Sequence, residues 1–349
     1  MPRSFCCWLA VGLLTGCSLT LGVDELSQGD GSCADRPASD PCHPIDDLTP
    51  GSVGSGIALP WVGLPRYEVV GGVVHAGELV VAVRVRSNDP KGALLGVDVQ
   101  SGARRLLSGW VTDAQGTPTE AGSGSYVGDL RAISEDGNGY LLHSWQGFDF
   151  SGRLYRVNPD TGERSYLGDI GKSGCPDAVA GPYWPDDIDS LVLDASAALL
   201  STSGFGFAGA ARVNADGCTS IPIDRDGPFL FARRTADVVI ADTKTGALGT
   251  LTNDAPSWIG QDGVAVRAFT VSGAVAWLYR PTKPPSLTRV MLDTNERTTT
   301  ELGVGPARVA PERRPHLWPH PDGKRLLLEL DGAIVTVDPA SGHSRTLSY

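Results

Sequence analysis

His316-Leu317-Trp318-Pro319-His320-Pro321-Asp322-Gly323-Lys324-Arg325-Leu326-Leu327-Leu328-Glu329-Leu330-Asp331-Gly332-Ala333-Ile334-Val335-Thr336-Val337-Asp338-Pro339-Ala340-Ser341-Gly342 is the stretch that decides the fold. It reads as a strand start, an Asp-Gly turn, the apolar strand KRLLLEL, a two-residue Asp331-Gly332 turn, the strand AIVTV, and a closing Asp-x-x-Ser-Gly turn. That succession is the grammar of one four-stranded antiparallel blade.

Working outward, the closing turn recurs. Turns led by Asp or Asn stand at Asp98–Gly102, Asn158–Gly162, Asn214–Gly217, Asp242–Gly246, Asp293–Asn295 and Asp338–Gly342. The leading Asp or Asn side chain closes an Asx-turn and the Gly takes the positive-φ position. A short apolar strand precedes each turn and a polar-alternating strand follows it, as expected of the third and fourth strands of successive blades. The spacing averages about 48 residues, within the range of a propeller blade. The predicted fold is an all-β propeller with blades near 67–110, 129–169, 184–224, 226–254, 262–304 and 313–349. The fourth blade is short enough to lack a full first strand. A seventh blade, built from 57–66 and the terminal strand, is the alternative.

Pro319-His320-Pro321-Asp322-Gly323-Lys324-Arg325-Leu326-Leu327-Leu328 followed by Asp338–Gly342 is similar to the Ser-Pro-Asp-Gly-Lys repeat of TolB-like propellers, and Ser134-Glu135-Asp136-Gly137 is a fainter copy. His320 stands where that family has Ser. The resemblance implies the fold and a periplasmic or surface setting, and does not imply one function.

The N-terminus reads as a targeting segment. Arg3 precedes an apolar run over 5–14, too short to span a bilayer, which ends in Leu14-Thr15-Gly16-Cys17. This resembles the bacterial lipobox, which implies cleavage before Cys17 and a lipid on its sulfur. Ser18 after it is permissive for outer-membrane sorting. The domain plan is therefore a signal peptide over 1–16, a lipidated tether rich in Gly, Ser, Pro and Asp over 17–56, and a propeller over 57–349. Of the seven cysteines, Cys6 and Cys7 leave with the signal. Cys33, Cys42, Cys175 and Cys218 remain, an even number in an exported chain, and the expected bridges are Cys33–Cys42 and Cys175–Cys218.

The formal charge of −11 disfavours nucleic acid as a partner. Gly204-Phe205-Gly206-Phe207-Ala208-Gly209 matches a dinucleotide-binding pattern. A strand follows it rather than a helix, so no helix N-terminus is offered to a pyrophosphate. It repeats Gly147-Phe148-Asp149-Phe150-Ser151-Gly152 in the preceding blade, and both loops join second to third strands. No cofactor is expected. Asp186, Asp187 and Asp189 offer oxygens suited to Ca²⁺, with a solvated turn as the plain alternative. His316 and His320 lie on one side of an extended chain, a metal pair lacking a third ligand.

Long, irregular, aromatic loops on a rigid scaffold are where function sits. Phe148, Phe150, Phe205, Phe207, Trp184, Asp187 and Trp318 are thus expected to border one binding surface, on the face that carries the second-to-third loops and the blade-to-blade connections. The functional expectation is a lipid-anchored binding or scaffolding module at the cell envelope, with a protein or glycan partner. The rival is a propeller hydrolase or lyase, possible on polysaccharide, with its site at the channel mouth.

Overall fold

The computed structural model describes residues 54–56, 67–85, 92–112, 118–125, 127–135, 137–145, 152–170, 188–193, 197–204, 207–214, 217–225, 228–234, 237–252, 255–261, 263–302, 315–330 and 332–348. They form six antiparallel sheets, each made of consecutive strands. The first blade holds β1 (Tyr67–His75), β2 (Glu78–Val85), β3 (Gly92–Asp98), β4 (Arg104–Thr112) and β5 (Pro118–Ala121). The second holds β6 (Asp129–Glu135), β7 (Tyr140–Trp145), β8 (Gly152–Val157) and β9 (Arg164–Ile170). The third holds β10 (Ile188–Leu193), β11 (Ala197–Gly204), β12 (Phe207–Asn214) and β13 (Gly217–Ile221). The fourth holds β14 (Phe229–Arg234), β15 (Asp237–Asp242), β16 (Leu248–Thr252) and β17 (Ala255–Gly260). The fifth holds β18 (Ala268–Ser272), β19 (Val275–Arg280), β20 (Ser286–Met291) and β21 (Arg297–Glu301). The sixth holds β22 (His316–Pro319), β23 (Leu326–Leu330), β24 (Ala333–Val337) and β25 (Ser344–Ser348).

The first strand of each blade touches the first strand of the next, and β22 returns to β1, so the sheets close into a six-bladed propeller. The sixth blade is complete from its own chain, which removes the seventh-blade alternative. Apolar clusters lie between facing blades: first with sixth, first with second, third with fourth, fourth with fifth, and fifth with sixth. Middle strands are covered on both sides, which is why β23 and β24 read as continuous apolar runs, buried along their whole length.

The Asx-turns form as their sequences dictate. Asp98 Oδ1 accepts the Gln100 and Ser101 amides at 3.1 and 2.7 Å, and Asp338 Oδ1 accepts the Ala340 amide at 2.8 Å. Two expectations are corrected. In the fifth blade the Asn295 amide donates to the Met291 carbonyl at 2.8 Å, the bond that Gly102 makes to Asp98. Met291, not Asp293, therefore leads that turn, and Asn295 takes the positive φ of 57°.

The fourth blade has a full set of strands, because 255–260 supplies an outer strand beyond the expected limit. Its Asx-turn joins β15 to β16, second to third, whereas in the other blades it joins third to fourth. The Thr243 amide donates to the Pro228 carbonyl at 3.1 Å, just ahead of β14. In the first and fifth blades the matching acceptor, Gly77 or Ala274, sits in the first hairpin.

The first blade gains a fifth strand from the 110–128 connection. Gly56 bridges Arg104 in parallel, and Gly124 bridges Arg164 in the same way. Residues 54–56 thus belong to the folded body rather than to a tether ending at 56.

Candidate functional site

Strand direction alternates across each blade, so the ring has two unlike faces. One carries the first and third hairpins of most blades, short and hydrogen-bonded; we call it the turn face. The other carries the strand ends that bound the segments 86–91, 146–151, 171–187 and 303–314; we call it the connection face.

Most predicted site residues lie outside the described residues: Phe148, Phe150, Phe205, Trp184, Asp186 and Asp187. Cys17, Cys33, Cys42 and Cys175 lie outside them too. Phe207 opens β12, Asp189 sits in β10 and Cys218 in β13, each described in backbone only.

Trp318 is a correction. It is only 7% exposed and belongs to the apolar cluster between the sixth and first blades. Its indole N–H donates to the Gly72 carbonyl at 2.9 Å. A Cβ on Gly72 would lie 2.9 Å from the indole ring, so glycine is what lets the ring in. His316 stacks on Trp318 at 5.7 Å and its Nε2 lies 3.1 Å from the Val69 carbonyl. Both residues close the ring instead of bordering an open surface. Among the described residues, no group of three His, Cys, Asp or Glu side chains is placed to hold a metal ion.

The connection-face end of β1 and β6 carries a charged cluster that the sequence reading missed. Glu68 and Arg84 are cross-strand partners, and Arg84 Nε donates to Glu68 Oε2 at 2.9 Å. Arg84 Nη1 reaches across to Asp129 Oδ1 at 3.4 Å, and Asp129 also pairs with Arg131. His143, on β7, is buried beside them. Burial, then the nearby Arg131 charge, pulls its pKa down to about 4, so the imidazole is neutral. Its Nδ1 has no hydrogen-bond partner among the described residues. The ring lies over Gly152, where a Cβ would fall 1.7 Å from Nε2. The cluster ties the first two blades together and sets a neutral imidazole beside the Arg131 guanidinium. Its signal was the charge pattern at the ends of adjoining strands, Glu68, Arg84, Asp129 and Arg131, which has no meaning until the blades are placed in a ring.

A second group of side chains ties the blades on the outside. Arg104, Arg164 and Arg297 each open the outer strand after a closing turn. Arg164 is 6% exposed; its Nη1 donates to Ser108 Oγ at 3.0 Å and to the Ala121 carbonyl at 2.9 Å, in the preceding blade. Arg104 Nη1 donates to Ser348 Oγ at 2.9 Å, from the first blade to the last. Arg297 reaches the Gly246 and Gly260 carbonyls, both at 3.1 Å.

On the turn face, a cleft of about 670 Å³ opens at the seam of the sixth and first blades. It is lined by the Val99–Ser101 turn, the His320–Asp322 turn, Arg325 and Arg345. Burial pushes the Asp322 carboxyl up, but the Arg325 and Lys324 amides and the Arg325 guanidinium outweigh it and hold the group well below the carboxylate range.

No family model matches the chain, and no curated protein matches it. Among solved structures it is similar to the tricorn protease, at 17% identity and a TM-score of 0.46, over 81% of this chain and 26% of that one. It therefore spans about a quarter of that protein's length. It is also similar to a putative 6-phosphogluconolactonase from Bacteroides uniformis, at 13% identity and a TM-score of 0.48, over 84% and 85% of the two chains. The WD40 β-propeller domain of Doa1 matches at 14% identity and a TM-score of 0.46, over 81% and 83%.

Proposed function

We propose that the chain is a lipid-anchored, extracytoplasmic binding or scaffolding propeller of TolB-like kind, capturing a protein or glycan partner at the cell envelope through its connection face. The observation that carries this reading is the inequality of the two faces. The described strands that bound the long segments 146–151, 171–187 and 303–314 end on one of them, where the Glu68–Arg84–Asp129–Arg131 cluster locks the first two blades together. A rigid frame under long connections suits recognition, because little ordering is left to be done on binding. Anchoring rests on the Leu14–Cys17 box.

The experiment for anchoring is membrane fractionation of Cys17→Ala. The variant should accumulate as a larger precursor that no longer partitions with detergent-soluble lipoproteins. Unchanged mass and unchanged partitioning would defeat the reading.

A second reading, a propeller hydrolase or lyase, is favoured by one observation: neutral His143 sits beside Arg131, which in turn pairs with Asp129, at the connection-face end of the strands. New reducing ends released from envelope polysaccharide by the wild type, and not by His143→Gln of equal thermal midpoint, would support it.

A further inference from the structure

The cleft on the turn face is distant in the fold from the surface just proposed, and its chemistry is lopsided. The chain carries a formal charge of −11, yet this cleft is lined by two arginines and a histidine against one carboxylate. That carboxylate is already engaged: Asp322 Oδ1 accepts the Lys324 and Arg325 amides at 2.8 and 2.9 Å, and Oδ2 accepts Arg325 Nε at 2.6 Å. Arg325 spends Nε on this bond, and neither of its Nη groups has a partner among the described residues. Arg345 is exposed and unpaired among them.

His320 supplies the second, independent observation. It is 5% exposed, and its buried Nε2 has no hydrogen-bond partner among the described residues. A buried polar atom left unpaired is costly, because it has lost its water without gaining a partner, so its presence calls for one. The protonation of Nε2 follows from the other nitrogen. In the neutral ring, Nδ1 accepts the Asp322 amide at 3.2 Å, which puts the proton on Nε2. In the charged ring, Nδ1–H faces Asp322 Oδ1 at 3.0 Å and Nε2 again carries a proton. The remaining neutral form, with Nδ1–H and a bare Nε2, would set its hydrogen against the Asp322 amide hydrogen that is directed at Nδ1, so Nε2 is the donor. The partner it lacks is an acceptor, and the guanidinium groups beside it prefer that acceptor to be anionic. The cleft's volume is within the range of small-molecule sites.

We propose that this seam cleft binds a small oxyanion ligand, its negatively charged oxygens met by His320 Nε2, Arg325 and Arg345. A carboxylate-bearing sugar and a phosphate share that chemistry.

The test is calorimetric titration of the full chain, at fixed ionic strength, with glucuronate, inorganic phosphate and, as the neutral control, glucose. A saturable one-site isotherm is expected for an anion and none for glucose. Tighter binding of glucuronate points to an acidic sugar, and tighter binding of phosphate to a phosphate group; either supports the site. Arg345→Glu should weaken the better anion by about tenfold or more at an unchanged thermal midpoint, because the side chain is exposed. In parallel, the His320 Nε2 resonance, assigned through His320→Gln, should shift along the same isotherm. No saturable heat with either anion, equal binding of glucose, unchanged affinity in Arg345→Glu, or a motionless Nε2 resonance would each overturn the proposal.

Discussion

The Trp318 indole N–H and the Gly72 carbonyl are 2.9 Å apart, although 246 positions of sequence separate them. This bond fastens the sixth blade to the first. Among the described residues no strand is exchanged between the two blades, and side chains hold the seam: the apolar cluster around Trp318, with His316 and Arg104. Trp318→Phe keeps an aromatic ring but leaves the Gly72 carbonyl unmet, and should cost about 1–3 kcal/mol in urea unfolding. Trp318→Ala empties the seam and should cost about 3–5 kcal/mol. Equal stability of the wild type and Trp318→Ala would show that the ring closes by other means.

The arginine ties allow a sharper comparison. Arg164 is buried and donates to Ser108, the Ala121 carbonyl and the Ser125 carbonyl, whereas its carboxylate partner Glu120 is 60% exposed. An exposed partner contributes little, so Glu120→Gln should change stability by less than about 1 kcal/mol. Arg164→Met leaves one buried acceptor, Ser108 Oγ, and two half-exposed or exposed carbonyls unmet, and should cost about 1–3 kcal/mol. Chemical denaturation of the two variants separates hydrogen bonding from charge pairing as the source of the tie.

His143 predicts a pH dependence. Its folded pKa, about 4, lies below the value of about 6.5 expected in the unfolded chain. Between those values the unfolded state binds more protons, so stability falls as pH drops through this window. The His143 contribution is fully present above pH 6.5 and amounts to on the order of 3 kcal/mol. His143→Gln should flatten the thermal-midpoint profile between pH 6.5 and 4. A histidine signal titrating near 6.5 in the folded protein would contradict the buried, neutral assignment.

Particular residues show what was legible in the sequence. The 316–342 stretch yielded its blade almost residue by residue, because Asp-Gly and Asp-x-x-Ser-Gly turns fix hairpin positions locally. The fourth blade misled for the same reason. An Asx-turn looks alike whichever antiparallel pair it joins, and only the partner of Thr243, the Pro228 carbonyl, reveals that Asp242–Gly246 closes the second pair. In the fifth blade, Asp293 imitated a turn leader whose place belongs to Met291. Trp318 was read as a surface aromatic because burial between blades is a property of ring closure and leaves no local mark. The Arg164–Ser108 tie and the His320 cleft were illegible for that reason too: each is made by segments far apart in the chain.

The central proposal is that the connection face is the working surface and that Phe148 and Phe205 border it. The most direct measurement places the photo-crosslinking residue p-benzoylphenylalanine at Phe148 or Phe205, and, as the control for the opposite face, at exposed Ser341 in the Asp338–Gly342 turn. Irradiation of intact cells that carry the protein should give discrete adducts from Phe148 and Phe205 and none from Ser341, with thermal midpoints close to wild type. Adducts confined to Ser341, or a collapse of stability at the two Phe positions as expected for buried rings, would contradict the account.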